Sequence, residues 1–421
     1  MIKMYDLLKE LFPICRSLTG NGVRQTFEIL KKHIPLEVQE FSSGTKCFDW
    51  VIPDEWNIKS AWIKDWNGNK IVDFSEHNLH ILGYSIPYSG EITLEDLKKH
   101  IYTDPERPDA IPYRTSYYEK RWGFCMSHRQ FETLKEGKYQ VHIDSSLKPG
   151  SLTLAEAFIK GKTEKEIFFS CYVCHPSMAD DSISGVVMTT KLYEYLKNRK
   201  DNYYSYRFIF VPETIGAIAY LSKYGEMLKK STFCGMVLTC VGDPGDFNYK
   251  KTRQGTHSLD RIAENILKHS GFKHHMHDFF LPGSDERQYS SPGFNIPAGS
   301  LMRSFYGLPK YHSSQDNLDF VTEEGLNQTF DIYTKIIEAF EADFKYLNTN
   351  PFCEPFLSKY GLYSTLGAQM DGSKYIKKVL SILNFSDGQH SLVDIAEKTG
   401  FCISDLLDTV KILEEKGLLK K

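Results

Sequence analysis

Cys174-His175-Pro176-Ser177-Met178-Ala179-Asp180-Asp181-Ser182-Ile183-Ser184-Gly185 is a polar loop between two ordered segments. The run before it, Glu166-Ile167-Phe168-Phe169-Ser170-Cys171-Tyr172-Val173, reads as a buried strand. The run after it, residues 186–196, reads as a helix. Strand, polar loop, helix is where open α/β sheets keep their chemistry. The loop also sets an imidazole and two carboxylates close together, and these are ligand types that suit zinc. It therefore predicts both an α/β fold and a metal site.

Working outward, strand and helix alternate from residue 166 to about 347. Strands are expected at 167–173, 206–211, 234–241 and 298–302, and helices at 185–197, 217–224, 258–269 and 323–344. The pattern predicts a mainly parallel mixed sheet with helices on both faces. Residues 5–15 form an amphipathic pattern with Leu7, Leu8, Leu11 and Phe12 on one face. A second helix is expected over 23–33, and residues 35–41 alternate like a strand. Residues 49–113 differ, with many turns and short alternating runs, and read as an inserted β-rich module. The α/β domain then comprises 1–48 and 114–347. His274-His275-Met276-His277 reads as a surface turn before a strand.

The tail is separate. Residues 348–369 read as a linker, and 370–421 as a winged helix-turn-helix-like domain. Its helical patterns lie at 375–384, 392–399 and 403–416, and 417–420 would begin a clipped wing. The recognition-helix position in that motif, the last helix, carries Asp405, Asp408, Glu414 and Glu415 against Lys411 and Lys416. Acidic side chains repel phosphate, so DNA is not expected as a partner. A protein contact or self-association through this domain is.

Bulk properties exclude other classes. At 421 residues the chain is too long for one ordinary core. Its 41% hydrophobic and 25% charged residues fit a soluble globular protein. A net charge of -3 gives no global field for nucleic acid. No apolar run approaches the ~20 residues of a membrane span, and no signal peptide is seen. Nine scattered cysteines suggest reduced thiols and a cytoplasmic location.

Four later segments add to the opening loop. Glu213 follows the apolar run 208–211, at a strand's carboxyl end, where a carboxylate serves as general base. Asp243 ends the next strand pattern. Ser284-Asp285-Glu286 precedes Gly293-Phe294-Asn295-Ile296-Pro297, and His312-Ser313-Ser314-Gln315-Asp316-Asn317 precedes the last long helix. Each alone has a plainer reading: a packing histidine, a helix-end anion or a solvated turn. Cys171-x-x-Cys174 is read as packing rather than redox chemistry.

The order and spacing of these motifs resemble the zinc-dependent aminopeptidase family, which includes di-zinc aminopeptidases and single-zinc glutaminyl cyclases. Residues 78–85 and 111–118 make the chain similar to bacterial aminopeptidase-like proteins with an inserted β module and a C-terminal winged helix. The resemblance implies His175, Asp181 and His312 as zinc ligands, with Asp243 as a further candidate. It implies Glu213 as the catalytic base and a cis peptide bond after Asp181. Asp180, Asp285, Glu286 and Asp316 would shape the substrate pocket, and Asp316 would also orient the loop or His312.

Three departures matter. Thr214 and Thr239 stand where di-zinc relatives have acidic ligands, and Ser177 stands where they have an Asp. One zinc is therefore expected rather than two. The expected function is a metal-dependent hydrolase that removes an N-terminal residue from a small peptide or cleaves a related amide. The alternatives are cyclase or deacylase chemistry on a non-peptide substrate, or a decayed scaffold.

Overall fold

The structure is a computed structural model, and it describes residues 2–281, 283–306, 310–362 and 370–421. The strand that leads into the loop that decided the sequence reading lies in the middle of a mixed sheet. We label seven of its strands β1 (Glu37–Ser42), β2 (Ser151–Ile159), β3 (Glu166–Tyr172), β4 (Ser205–Val211), β5 (Thr232–Val237), β6 (Phe247–Lys250) and β7 (Ala298–Met302). They follow the order β1-β2-β4-β3-β5-β7-β6. The inner pairs β3–β4, β3–β5 and β5–β7 are parallel, and the outer pairs are antiparallel. All seven residues of β3 are buried, which explains why Ile167, Phe168, Phe169, Cys171 and Tyr172 are apolar or aromatic on both faces of the strand.

The helices Gly185–Asn198 and Ile215–Ser231 pack on this sheet. Gly185 is required by close approach. A Cβ there would lie 2.1 Å from Leu238 O, so the helix that follows the metal-site loop can seat against the end of β5.

The inserted module is a second, antiparallel sheet. Its strands run in the order Lys70–Asp73, Glu55–Lys64, Lys138–Lys148, Tyr88–Thr93. The expected limits of 49 and 113 do not follow this hydrogen bonding. Lys138–Lys148 pairs along the whole of Glu55–Lys64 and so belongs to the module's sheet. Tyr139, Val141 and Ile143 alternate as in any half-buried strand, and periodicity does not name a strand's partner. His274–His277, expected as a turn, is itself a strand.

The chain divides into two units. The first takes the residues up to Arg253 together with His277–Thr329, and the second takes Gln254–Met276 with Phe330–Lys421. The second unit has the helices Ser258–His269, Met370–Phe385, Leu392–Thr399 and Ser404–Glu415. Its strand Leu419–Lys420 pairs with Leu347–Asn348. Gly400, at φ 73°, caps Leu392–Thr399 in the left-handed conformation and makes the turn to the last helix. Asn265 binds that turn at two points: its Nδ2 donates to Phe401 O at 3.1 Å, and its Oδ1 accepts from Ile403 N at 2.8 Å. Arg261 bridges Asp394 and Glu397. Within the expected linker, Leu357–Tyr360 forms a turn of 3-10 helix, and 363–369 lie outside the described residues. Among the described residues, no helix is long and apolar enough to cross a membrane.

Candidate metal centre

The loop after β3 turns sharply and is pinned from a distance. Asp316 Oδ1 accepts from Asp180 N at 2.7 Å, and its Oδ2 accepts from Asp181 N at 2.9 Å. The Asp181–Ser182 peptide bond is cis. His175 and Asp181 are 2% and 1% exposed.

This loop meets the segment carrying His312. The ligand atoms of His175, Asp181 and His312 all lie within 4.8 Å of one another. His175 Nε2 is 4.0 Å from Asp181 Oδ2, and His312 Nε2 is 3.0 Å from the same oxygen. Yet Asp181 Oδ2 and His312 Nε2 are both buried without a hydrogen-bond partner. The two atoms are close but not aligned for a good hydrogen bond. A shared cation resolves this arrangement, since ligand bonds of about 2 Å at tetrahedral angles put donor atoms about 3.3 Å apart. The donor set therefore fits a divalent metal ion. Burial drives the His175 imidazole down to about 4, which favours the neutral form a metal ligand needs. Burial pushes the Asp181 carboxyl up, but His175, His312 and Tyr172 together hold it below the usual range.

The second oxygen of Asp181 is already engaged. Its Oδ1 accepts from Tyr172 OH and from Thr239 Oγ1, the latter at 3.2 Å. The Tyr172 and Thr239 hydroxyls are themselves 2.7 Å apart.

Asp243 does not join the group. Its Oδ1 accepts from Gly245 N and Ser304 Oγ, and its Oδ2 from Ser304 N, so it closes its own loop. Asp180 Oδ1 accepts from Gly242 N at 2.8 Å. Burial, with Asp243 and Asp316 nearby, pushes the Asp180 carboxyl well up. Asp180, expected in the substrate pocket, and Asp316, expected there and also to orient the loop or His312, both hold the loops that build the centre.

Glu213 follows β4. Its Oε2 lies 3.8 Å from His175 Nε2, and its Oε1 accepts from Ser284 Oγ at 3.3 Å. Burial pushes its carboxyl well above the usual range, Asp285 and Asp181 add to this, and Arg287 opposes it. Thr214 takes a left-handed φ of 62°. Its N–H donates to Asp285 Oδ1 at 2.8 Å, and its hydroxyl accepts from Arg287 Nη2 at 3.0 Å. Burial raises the Asp285 carboxyl to about 7. Glu286, also expected at the pocket, pairs with Lys250 at 2.6 Å, and both side chains are fully buried.

A family described as a domain of unknown function, DUF4910, matches residues 5–343, and a winged helix-turn-helix family matches 344–421. The chain belongs to the DUF4910 family. A Clostridium acetobutylicum relative, named for polysaccharide biosynthesis and an aminopeptidase-like domain, is 49% identical over 398 residues. The match spans 94% of this chain and 91% of the relative. A crystal structure from Clostridium acetobutylicum, named as that of a peptidase, matches this DUF4910 protein with a TM-score of 0.94 and 46% identity. It covers 99% of this chain and 95% of the other. The zinc aminopeptidase BSAP from Bacillus subtilis matches with a TM-score of 0.58 at 14% identity, over 80% of this chain and 93% of its own. The DUF4910 protein thus has an aminopeptidase-like α/β fold followed by a winged helix domain.

Several residues at the centre of this DUF4910 protein carry no sequence signal of their own. Tyr172 lies inside an apolar strand pattern. Arg287 reaches the Glu213 segment from more than 70 residues away. Tyr113 comes from the inserted region, and its ring centroid lies 5.3 Å from each of the His175 and His312 rings. A tyrosine in a turn-rich stretch has no spacing rule that links it to a distant histidine.

Proposed function

We propose that this protein is a metal-dependent hydrolase of the aminopeptidase type, holding one zinc ion through His175, Asp181 and His312. The observation that carries the reading is the trio of buried donor atoms with Glu213 beside it. The relatives' names, an aminopeptidase-like domain and a peptidase, support the same class. One ion is favoured over two because Asp181 Oδ1 is already held by the Tyr172 and Thr239 hydroxyls. The Thr214 hydroxyl likewise accepts from Arg287.

A zinc ion held by His175, Asp181 and His312 would supply Lewis-acid polarisation of the scissile carbonyl and a more acidic water molecule. Glu213 takes a proton from that water and returns it to the leaving amine. Ser284 orients the Glu213 carboxylate, and Arg287 offsets the charge of Glu213 and Asp285. Asp316 keeps Asp180 and Asp181 in register.

The test is Glu213→Gln on the full chain, with zinc measured by elemental analysis. Turnover of an aminoacyl reporter should fall by at least about 10²–10⁴, the usual worth of a general base. Zinc should stay at one per chain. Retained activity in the variant defeats the role of Glu213, and absence of zinc from the parent protein defeats the metal.

A second reading is amide hydrolysis on a sugar. The relative named for polysaccharide biosynthesis favours it. So does an exposed aromatic pair, Trp50 and Tyr118, whose rings lie 6.0 Å apart, with Tyr118 following Tyr117, whose hydroxyl lies 3.0 Å from that of Tyr113. A panel of aminoacyl and N-acyl-sugar reporters separates the two.

A further inference from the structure

The inserted module touches both loops that carry the imidazoles. On the first loop, Asn78 Nδ2 donates to Ser177 Oγ at 2.7 Å and to Pro13 O at 3.0 Å. Ser177 stands two residues after His175 in a left-handed conformation, at φ 45°, and its hydroxyl donates to Phe12 O at 3.0 Å.

On the second loop the contacts are mainly backbone. Tyr113 N donates to His312 O at 2.8 Å, and Ser314 N donates to Ile111 O at 2.9 Å. Ile111 N donates to Ser314 Oγ at 3.0 Å, and Arg107 Nη1 donates to Tyr311 O at 2.7 Å. Arg107 is itself fixed by Asp104 at 2.8 Å. His312 also has a left-handed backbone, at φ 54°, a conformation that persists only where the surroundings enforce it.

Between the loops stands Tyr113, only 8% exposed. Its ring contacts both imidazoles, whose own centroids are 5.6 Å apart. Side chains around a metal site orient its ligands and set its affinity.

We propose that the inserted module is a brace of the metal centre, with Tyr113 as the positioning residue that spaces His175 from His312. The proposal rests on the zinc reading above. Coupling between sites is reciprocal. If docking of the module shapes the ligands, bound zinc must hold the module's 107–113 segment in place by the same factor.

The test uses the full chain and zinc alone as the probe. Zinc Kd is measured by competition with a chromophoric chelator for the parent protein, Tyr113→Ala, Tyr113→Phe and Arg107→Ala. Tyr113→Ala and Arg107→Ala should weaken zinc by about 10–100-fold, as loss of such supporting contacts does elsewhere. Tyr113→Phe keeps the ring and should bind as the parent does. Amide hydrogen exchange on the parent supplies a second readout that needs no variant. Added zinc should slow exchange in 107–113 and 311–314 together. Unchanged Kd in both alanine variants overturns the brace, as does zinc protection of 311–314 that leaves 107–113 unaffected. If the parent takes up no zinc, the metal reading itself falls, and the brace with it.

Discussion

Asp181 offers two oxygens in different circumstances, and the difference sets the chemistry. Oδ1 is held by two hydroxyls, while Oδ2 is buried without a hydrogen bond beside His312. Tyr172→Phe removes one of the two hydroxyls, and we expect zinc affinity to fall by about tenfold at the least. Chelator competition measures it, and the fold should survive, because the ring still fills its place. The pair Lys250–Glu286 is the opposite case, a buried ion pair that touches no metal ligand. Removing one partner of such a pair leaves an uncompensated charge and costs about 3–5 kcal/mol. Lys250→Ala should therefore lose about that much stability in chemical denaturation. A loss under about 1 kcal/mol would mean that Glu286 takes up a proton at little cost. Neither partner's role is legible in the sequence, because an ion pair between residues 36 apart has no local pattern.

Arg24, on the helix Asn21–Leu30, works between elements. It donates to Glu55 at 2.7 Å on a module strand, to Glu40 at 3.2 Å on β1 and to Ser151 at 2.9 Å on β2. The Arg24 hydrogen bond holds the Glu55 carboxyl down at about 2. The folded state thus prefers the charged form, and this stabilisation is present above about 4.5, the ordinary value, and lost as pH falls through about 2. Arg24→Ala should lower stability at pH 7 by about 1 kcal/mol, since both side chains are partly exposed. The gap between variant and parent should narrow across the acid window in pH-dependent thermal melts. Elements were legible where one periodicity dominates. β3 reads as an apolar run because every residue is buried, and Ser258–His269 reads as a helix because Leu259, Ile262, Ala263 and Ile266 recur at helical spacing. The loop His175–Asp181 was legible from its ligand types. The membership of Lys138–Lys148 in the module's sheet was not, because alternation fixes which face is buried and leaves the partner strand open. His274–His277 hid its strand because three histidines carry little β propensity.

The whole molecule sets an aminopeptidase-like fold before a winged helix domain whose last helix, Ser404–Glu415, is not built for phosphate. Asp405 at its start faces Lys374 and Lys378, each at 3.9 Å, which uses up nearby positive charge. We expect no DNA retention beyond the salt-sensitive background in a filter-binding or mobility-shift titration at physiological salt. Salt-resistant binding there would reverse this view. The docking of Asn265 on the turn at Phe401–Ile403 bears on how the chain is made. These partners are 136 residues apart in sequence. At synthesis rates of about 5–20 residues per second, Ser258–His269 emerges about 7–27 s before Phe401 exists. For that interval Leu259, Ile262, Ile266 and Leu267, all buried in the finished protein, lack the Leu392–Thr399 helix that packs on theirs. The nascent chain therefore carries the Ser258–His269 helix without its Leu392–Thr399 neighbour until translation is nearly over.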